Sequence, residues 1–150
     1  MINQEELEIK DLIKNPIVIK SKYDITKISE KMLQNLILED ITSFMKELGE
    51  GFSFIDSEYK IKLGNSYNYI DILLFNIKYN CYVVVELKVT ELKKEYIGQV
   101  EIYMNYIDEN IKTINQDKTI SIIIVRENNE FIIKYASDKR IISKEFVLNQ

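Results

Sequence analysis

Three charged residues occupy positions where a β-strand would normally place an apolar side chain. Asp71 lies inside Tyr69-Ile-Asp-Ile-Leu-Leu-Phe75, and Glu86 and Lys88 lie inside Cys81-Tyr-Val-Val-Val-Glu-Leu-Lys-Val89. Strand interiors rich in Ile, Val, Tyr and Phe disfavour Asp, Glu and Lys. Burying such a group costs on the order of several kcal/mol unless it is paired or holds a metal. An Asp followed at a distance by Glu-x-Lys can bring two carboxylates and an amine to one point, which is a set suited to hydrolysis.

The spacing makes a geometric prediction. A hairpin centred between Lys78 and Tyr79, in the turn Asn76 to Asn80, sets Asp71 directly opposite Glu86. Opposed residues on antiparallel strands project from one face with β-carbons about 5 Å apart. Lys88, two residues beyond Glu86, shares that face, and Leu87 points to the other. A one-residue slip would undo the coincidence. Two carboxylates so placed, with a backbone carbonyl, can hold one divalent cation such as Mg²⁺ or Mn²⁺. The cation would polarise a phosphodiester and acidify a water, while Lys88 orients that water, takes its proton or stabilises the developing charge. The bland reading is a buried ion pair of Lys88 with Glu86 or Asp71.

Composition narrows the chemistry further. The chain has 150 residues and no histidine, which removes Ser-His-Asp and Cys-His catalysis and most zinc sites. The lone cysteine, Cys81, cannot form a disulfide within the chain, which fits a reducing cytoplasm. The apolar runs are too short and too often broken by charge to span a membrane, and the acidic start Met1-Ile-Asn-Gln-Glu-Glu6 is unlike a signal peptide. The net charge is −4, but residues 59–94 are net positive: Lys60, Lys62, Lys78, Lys88, Lys93 and Lys94 outnumber Asp71, Glu86 and Glu91. Lys60, Lys62, Lys93 and Lys94 are therefore candidate nucleic-acid contacts around an acidic centre, against the plain alternative of a solvated lysine surface.

The elements that would position these groups read as one α/β domain. Residues 1–27 form an arm broken at Asn15-Pro16, with an edge strand over Ile17 to Lys20, and residues 28–150 form the main domain. Met32, Leu33, Leu36, Ile37, Ile41, Phe44, Met45 and Leu48 recur at helical spacing, with Ser29 as N-cap and Gly49 as the stop. Strands follow at Phe52 to Leu63, Tyr67 to Phe75 and Cys81 to Val89. A second helix spans roughly Glu91 to Ile111 with Thr90 as N-cap, and a buried strand spans Thr119 to Val125. Phe131 to Tyr135 reads as a further strand. The order α-β-β-β-α-β gives a mixed α/β sandwich.

Gln99 and Tyr103 share the apolar stripe of the second helix one turn apart, so an amide there can steady a metal-bound water or Lys88, or simply edge the core. Glu39 in the first helix can supply an outer carboxylate, although exposure is the default for a helical glutamate.

Glu39, Asp71, Glu86-x-Lys88 and Gln99-x-x-x-Tyr103 in this element order resemble the PD-(D/E)XK nuclease superfamily. More narrowly, Leu48-Gly-Glu-Gly-Phe-Ser-Phe54, Tyr69 to Phe75, Val85-Glu-Leu-Lys88, Lys93-Lys-Glu-Tyr-Ile-Gly-Gln99, Ser121 to Val125 and Lys134-Tyr-Ala136 are similar to the YhcG-type bacterial nucleases, over roughly residues 30–140. The resemblance implies a restriction-endonuclease-like αβββαβ core, a mixed sheet flanked by helices, and metal-dependent DNA cleavage in branched-DNA processing, restriction or mobile-element defence. It implies metal binding by Asp71 and Glu86, catalysis by Lys88, support from Gln99 and, less directly, a role for Glu39.

The chain also departs from that family. A helical N-terminal domain usually precedes the nuclease region, Ser57-Glu58 stands where an Arg-Gln pair is favoured, and Lys78 alone remains of the basic hairpin turn. These departures weaken autonomous DNA binding and suit a fragment, a minimal member or a chain dependent on a partner protein, while the pairing of related nucleases to cut two strands makes a homodimer a further expectation. Two rival readings follow: a nucleic-acid-binding or assembly module that keeps the fold with little catalysis, and a protein-binding domain built on the ten tyrosines.

Overall fold

The computed structural model describes residues 13–149. Its centre is a six-stranded mixed sheet with strand order β1-β6-β5-β4-β3-β2. The strands are β1 (Ile17–Lys20), β2 (Phe52–Leu63), β3 (Ser66–Asn76), β4 (Cys81–Leu87), β5 (Ile120–Val125) and β6 (Ile141–Asn149). Strands β2, β3 and β4 form an antiparallel meander, and β4, β5, β6 and β1 run parallel.

Among the described residues four α-helices flank the sheet: α1 (Glu30–Glu39), α2 (Ile41–Leu48), α3 (Lys94–Asn110) and α4 (Glu130–Tyr135). The αβββαβ core is therefore present, with β1 at one edge and β6 beside it. Leu33, Ile37, Phe44 and Leu48 bury the first two helices against Ile72, Leu74, Val83, Val85, Ile122 and Ile124. On the opposite face Val100, Tyr103, Met104 and Ile107 of α3 pack on Leu73, Val84, Ile123 and Val125. Neighbouring residues of β3 and β4 thus divide between two cores, as period-two strands buried on both faces must.

The β3–β4 register follows the expected hairpin: Asn76 pairs with Cys81, Leu74 with Val83 and Ile72 with Val85. Asn76 fixes the turn. Its buried side chain accepts the Lys78 and Tyr79 N–H groups at 3.0 and 3.1 Å and donates to the Glu50 carbonyl at 3.0 Å. Gly51 passes beside this amide with φ of +87°, and a β-carbon there would come 3.1 Å from Asn76 Oδ1.

Ser29 caps α1 by accepting the Met32 N–H, and Gly49 ends α2. Four expectations fail locally. The first helix is two helices, because the Asp40 side chain accepts the Ser43 N–H and starts a new one. Thr90 is not the cap of α3, which begins only at Lys94. Phe131 to Tyr135 is helical, because Asn129 accepts the Phe131 and Ile132 N–H groups and caps α4. Strand β6, absent from the sequence reading, supplies the parallel partner of both β5 and β1. The edge strand at Ile17 is found, and Ile13, Ile17 and Ile19 lie in the α1/α2 core. Among the described residues no helix is long and apolar enough to cross a membrane.

Candidate active site

Asp71 and Glu86 continue the rows of Leu73 and Val84, one rung beyond the last ladder pair, Ile72 with Val85. At that rung side chains replace the ladder: the Asp71 N–H donates to Glu86 Oε1 at 3.2 Å, and the Leu87 N–H donates to Asp71 Oδ2 at 2.9 Å. Glu86 is only 2% exposed. Burial first, and the charge of Asp71 second, push its carboxyl well above the usual carboxylate range. Burial also raises Asp71, although the Leu87 N–H and the Lys88 charge pull the other way. The two acids crowd each other, and a cation between them would relieve that repulsion.

Lys88 lies one residue past the end of β4, its N–H bonded to the Ile124 carbonyl at 2.9 Å. Its amine sits between the first turns of two helices, 4.0 Å from Glu30 Oε1 of α1 and 4.7 Å from the ring centre of Tyr96 of α3. Thr90 holds that ring: its hydroxyl and the Tyr96 hydroxyl are 2.6 Å apart. Among the described residues Lys88 forms no ion pair with Asp71 or Glu86, though its charge lowers the proton affinity of both. The simple buried ion pair is therefore not the arrangement found.

Gln99 donates to the Tyr103 hydroxyl at 3.1 Å. Burial, followed by the negative charge of Glu86, raises the Tyr103 phenol, so this pair borders the carboxylates. Glu39 is not brought here. It is exposed and lines a surface hollow with Lys20, Ser21, Lys22, Leu36 and Asn149. Nine positions of helix, about 13 Å of rise, separate it from Glu30, the α1 acid that approaches Lys88. Lys93 and Lys94 are exposed at the start of α3, whereas Lys60 and Lys62 are exposed on the β2–β3 hairpin.

The sequence reading missed Glu30, Gln34, Glu58 and Tyr96. Gln34 is 3% exposed and donates to the Asp71 carbonyl at 3.0 Å, tying α1 to the site. Its signal was present: an amide one position from Leu33, one helical turn after Glu30. Glu58 has φ of +50° in β2 and adds negative charge beside Asp71.

The donor set fits a hard divalent cation. Each carboxylate commits one oxygen to a backbone N–H, which orients it and leaves the second oxygen for a ligand. Among the described residues no group of three or more metal-binding side chains exists. Two carboxylates leave the remaining positions to carbonyls, water or substrate, which suits Mg²⁺ or Mn²⁺ better than a closed structural site.

The αβββαβ fold is of the PD-(D/E)XK type. Residues 10–148 match the YhcG PDDEXK nuclease domain family, and the chain belongs to it. It is 24% identical over 124 residues to the Escherichia coli (strain K12) protein described as "Putative nuclease YhcG", covering 83% of this chain and 33% of that protein. The chain thus spans about a third of that relative's length. A repair endonuclease from Pyrococcus abyssi superposes with a TM-score of 0.55 at 22% identity, covering 87% of this chain and 49% of the other. EndoMS, solved in complex with double-stranded DNA, superposes with a TM-score of 0.53 at 18% identity, covering 81% and 44%. Both likenesses are likenesses of fold.

Proposed function

We propose that this domain hydrolyses phosphodiester bonds in DNA with Mg²⁺ or Mn²⁺ as cofactor. The observation that carries the reading is the Asp71–Glu86 pair, one half-buried and one buried carboxylate each oriented by a backbone N–H, with the Lys88 amine nearby in a nuclease-family fold. When bound, the cation would polarise the phosphodiester and lower the pKa of water. Asp71 and Glu86 would hold it. Lys88, steered by Glu30 and the Tyr96 ring, orients the attacking water and offsets charge growing on the phosphate. Gln99 and Tyr103 keep the α3 side of the site polar and ordered.

The setting we infer is cytoplasmic processing of branched or foreign DNA in repair, restriction or mobile-element defence, in a homodimer or with a partner protein that aids DNA binding. The names of the structural neighbours, a repair endonuclease and a DNA complex, support DNA as the substrate.

The test is incubation with linear duplex, single-stranded and four-way-junction DNA, in Mg²⁺, in Mn²⁺ and in EDTA. Cleavage of at least one substrate with metal, none in EDTA and cleavage slowed about 100-fold or more by Lys88→Ala is the expected result. If no substrate is cut, or if the variant cuts as well as the parent, the catalytic reading fails. A second reading, a nucleic-acid-binding module with little catalysis, is favoured by Glu58 and Glu30, whose charges crowd Asp71 further. Binding without cleavage would select it.

A further inference from the structure

We propose that one face of the β2–β3 hairpin is a binding surface for an unpaired DNA strand, built from Lys60, Lys62, Tyr67 and Tyr69. This deepens the nuclease reading and rests on it for the choice of DNA. The register pairs Lys60 with Tyr69 and Lys62 with Tyr67, so all four side chains project from one face. The other face is occupied: Ile61 and Ile70 are buried, and Tyr59 and Leu63 pack against the α3 core. Lys60, Lys62, Tyr67 and Tyr69 are left to solvent, with Tyr67 53% and Tyr69 49% exposed.

Neither tyrosine belongs to either hydrophobic core. Their immediate neighbours are amines. Lys60 Nζ lies 4.1 Å and Lys62 Nζ 5.9 Å from the Tyr67 ring centre. Among the described residues neither lysine is in an ion pair, so both charges remain available to a phosphate. Aromatic faces beside unpaired amines are what a nucleic-acid strand needs: rings for the bases and cations for the backbone.

The same chemistry selects an unpaired strand over a duplex. In a duplex the base faces are stacked on one another and closed to tyrosine. Phosphate contacts would then carry the affinity alone, and two lysines on a chain of net charge −4 release few counterions. An unpaired strand adds base–aromatic stacking at each ring. The surface is also close to the site along the chain, since Tyr69 precedes Asp71 by two residues of β3, about 7 Å of strand.

The experiment is fluorescence anisotropy in EDTA with a labelled single-stranded oligonucleotide and the matching blunt duplex. EDTA prevents metal-dependent cleavage, so the outcome does not depend on the catalytic reading. The parent chain should bind the single strand more tightly. The double substitution Tyr67→Ala with Tyr69→Ala should weaken single-strand binding about tenfold or more and leave duplex binding and the salt slope nearly unchanged. Tyr67→Phe with Tyr69→Phe should restore it, since stacking needs the ring alone. Lys60→Ala with Lys62→Ala should weaken both ligands and flatten the salt dependence. All four positions are exposed, and matching circular dichroism spectra would verify the fold. Equal affinity for strand and duplex, no binding to either, or an alanine pair that binds like the parent would overturn the proposal.

Discussion

The Asp71 main chain and the Glu86 side chain bond directly: the Asp71 N–H donates to Glu86 Oε1 at 3.2 Å, at the point where the β3–β4 ladder ends. The bond draws a carboxylate into an interior where burial and Asp71 both oppose its ionisation. Glu86 therefore holds its proton in the fold at pH values where the unfolded chain has released it. Between the ordinary carboxylate pKa, about 4.3, and the raised value, the folded state binds more protons, so stability falls as pH rises. Without divalent metal, thermal melts should show that decline for the parent and a flatter profile for Glu86→Gln. Equal slopes would show that Glu86 is not strained in this way.

Metal should reverse the effect. A cation held by Asp71 and Glu86 binds only the ionised pair, so Mn²⁺ should raise the melting temperature more at pH 8 than at pH 5.5. Asp71→Asn and Glu86→Gln should each abolish the rise. A metal-induced shift that survives both substitutions would place the cation elsewhere.

The Lys88 amine lies 4.7 Å from the Tyr96 ring centre. Lys88→Ala should lower the cleavage rate about 100-fold or more while leaving DNA affinity within a few fold. Tyr96→Leu removes the ring under the amine and the Thr90 partner, and should cost roughly tenfold in rate. Single-turnover kinetics beside a binding titration separate the two effects, and a loss confined to affinity would refute the assignment.

The acids of α1 should divide. Glu30→Gln should slow cleavage about tenfold, because Glu30 is the carboxylate beside the Lys88 amine. Glu39→Gln, exposed at the far end of the helix, should stay within about twofold. The reverse ranking in a rate assay would restore Glu39 to the site.

Register was legible in the sequence because a short turn fixes it, and Asn76 shows the mechanism by bonding two turn N–H groups at once. Asn76→Ala should destabilise the fold by about 2 kcal/mol, measured by urea unfolding, because the Lys78 and Tyr79 N–H groups lose their partner. A loss under about 0.5 kcal/mol would mean water replaces the amide at no cost.

Other features depended on contacts that periodicity does not carry. Phe131 to Tyr135 has strand-like composition, yet the Asn129 cap and packing of Ile132 and Ile133 on the α3 core make it a helix. The long first helix hid a break because Asp40 fits a helical surface as readily as a cap. Glu39 is the α1 acid that the sequence puts forward, but only the docking of α1 decides which end of the helix meets Lys88, and that end carries Glu30. Nothing in the spacing of Tyr96 marks it, and its hydroxyl contact with Thr90 is visible only once α3 starts after the loop.

A divalent cation shared by Asp71 and Glu86 is the core of the proposed chemistry. Anomalous diffraction from a crystal soaked in Mn²⁺ addresses it directly. One strong peak between the two side chains, about 2.0–2.3 Å from an oxygen of each, is the expected result. No peak there, with the Lys88 amine filling the space as an ion pair to either carboxylate, would contradict it.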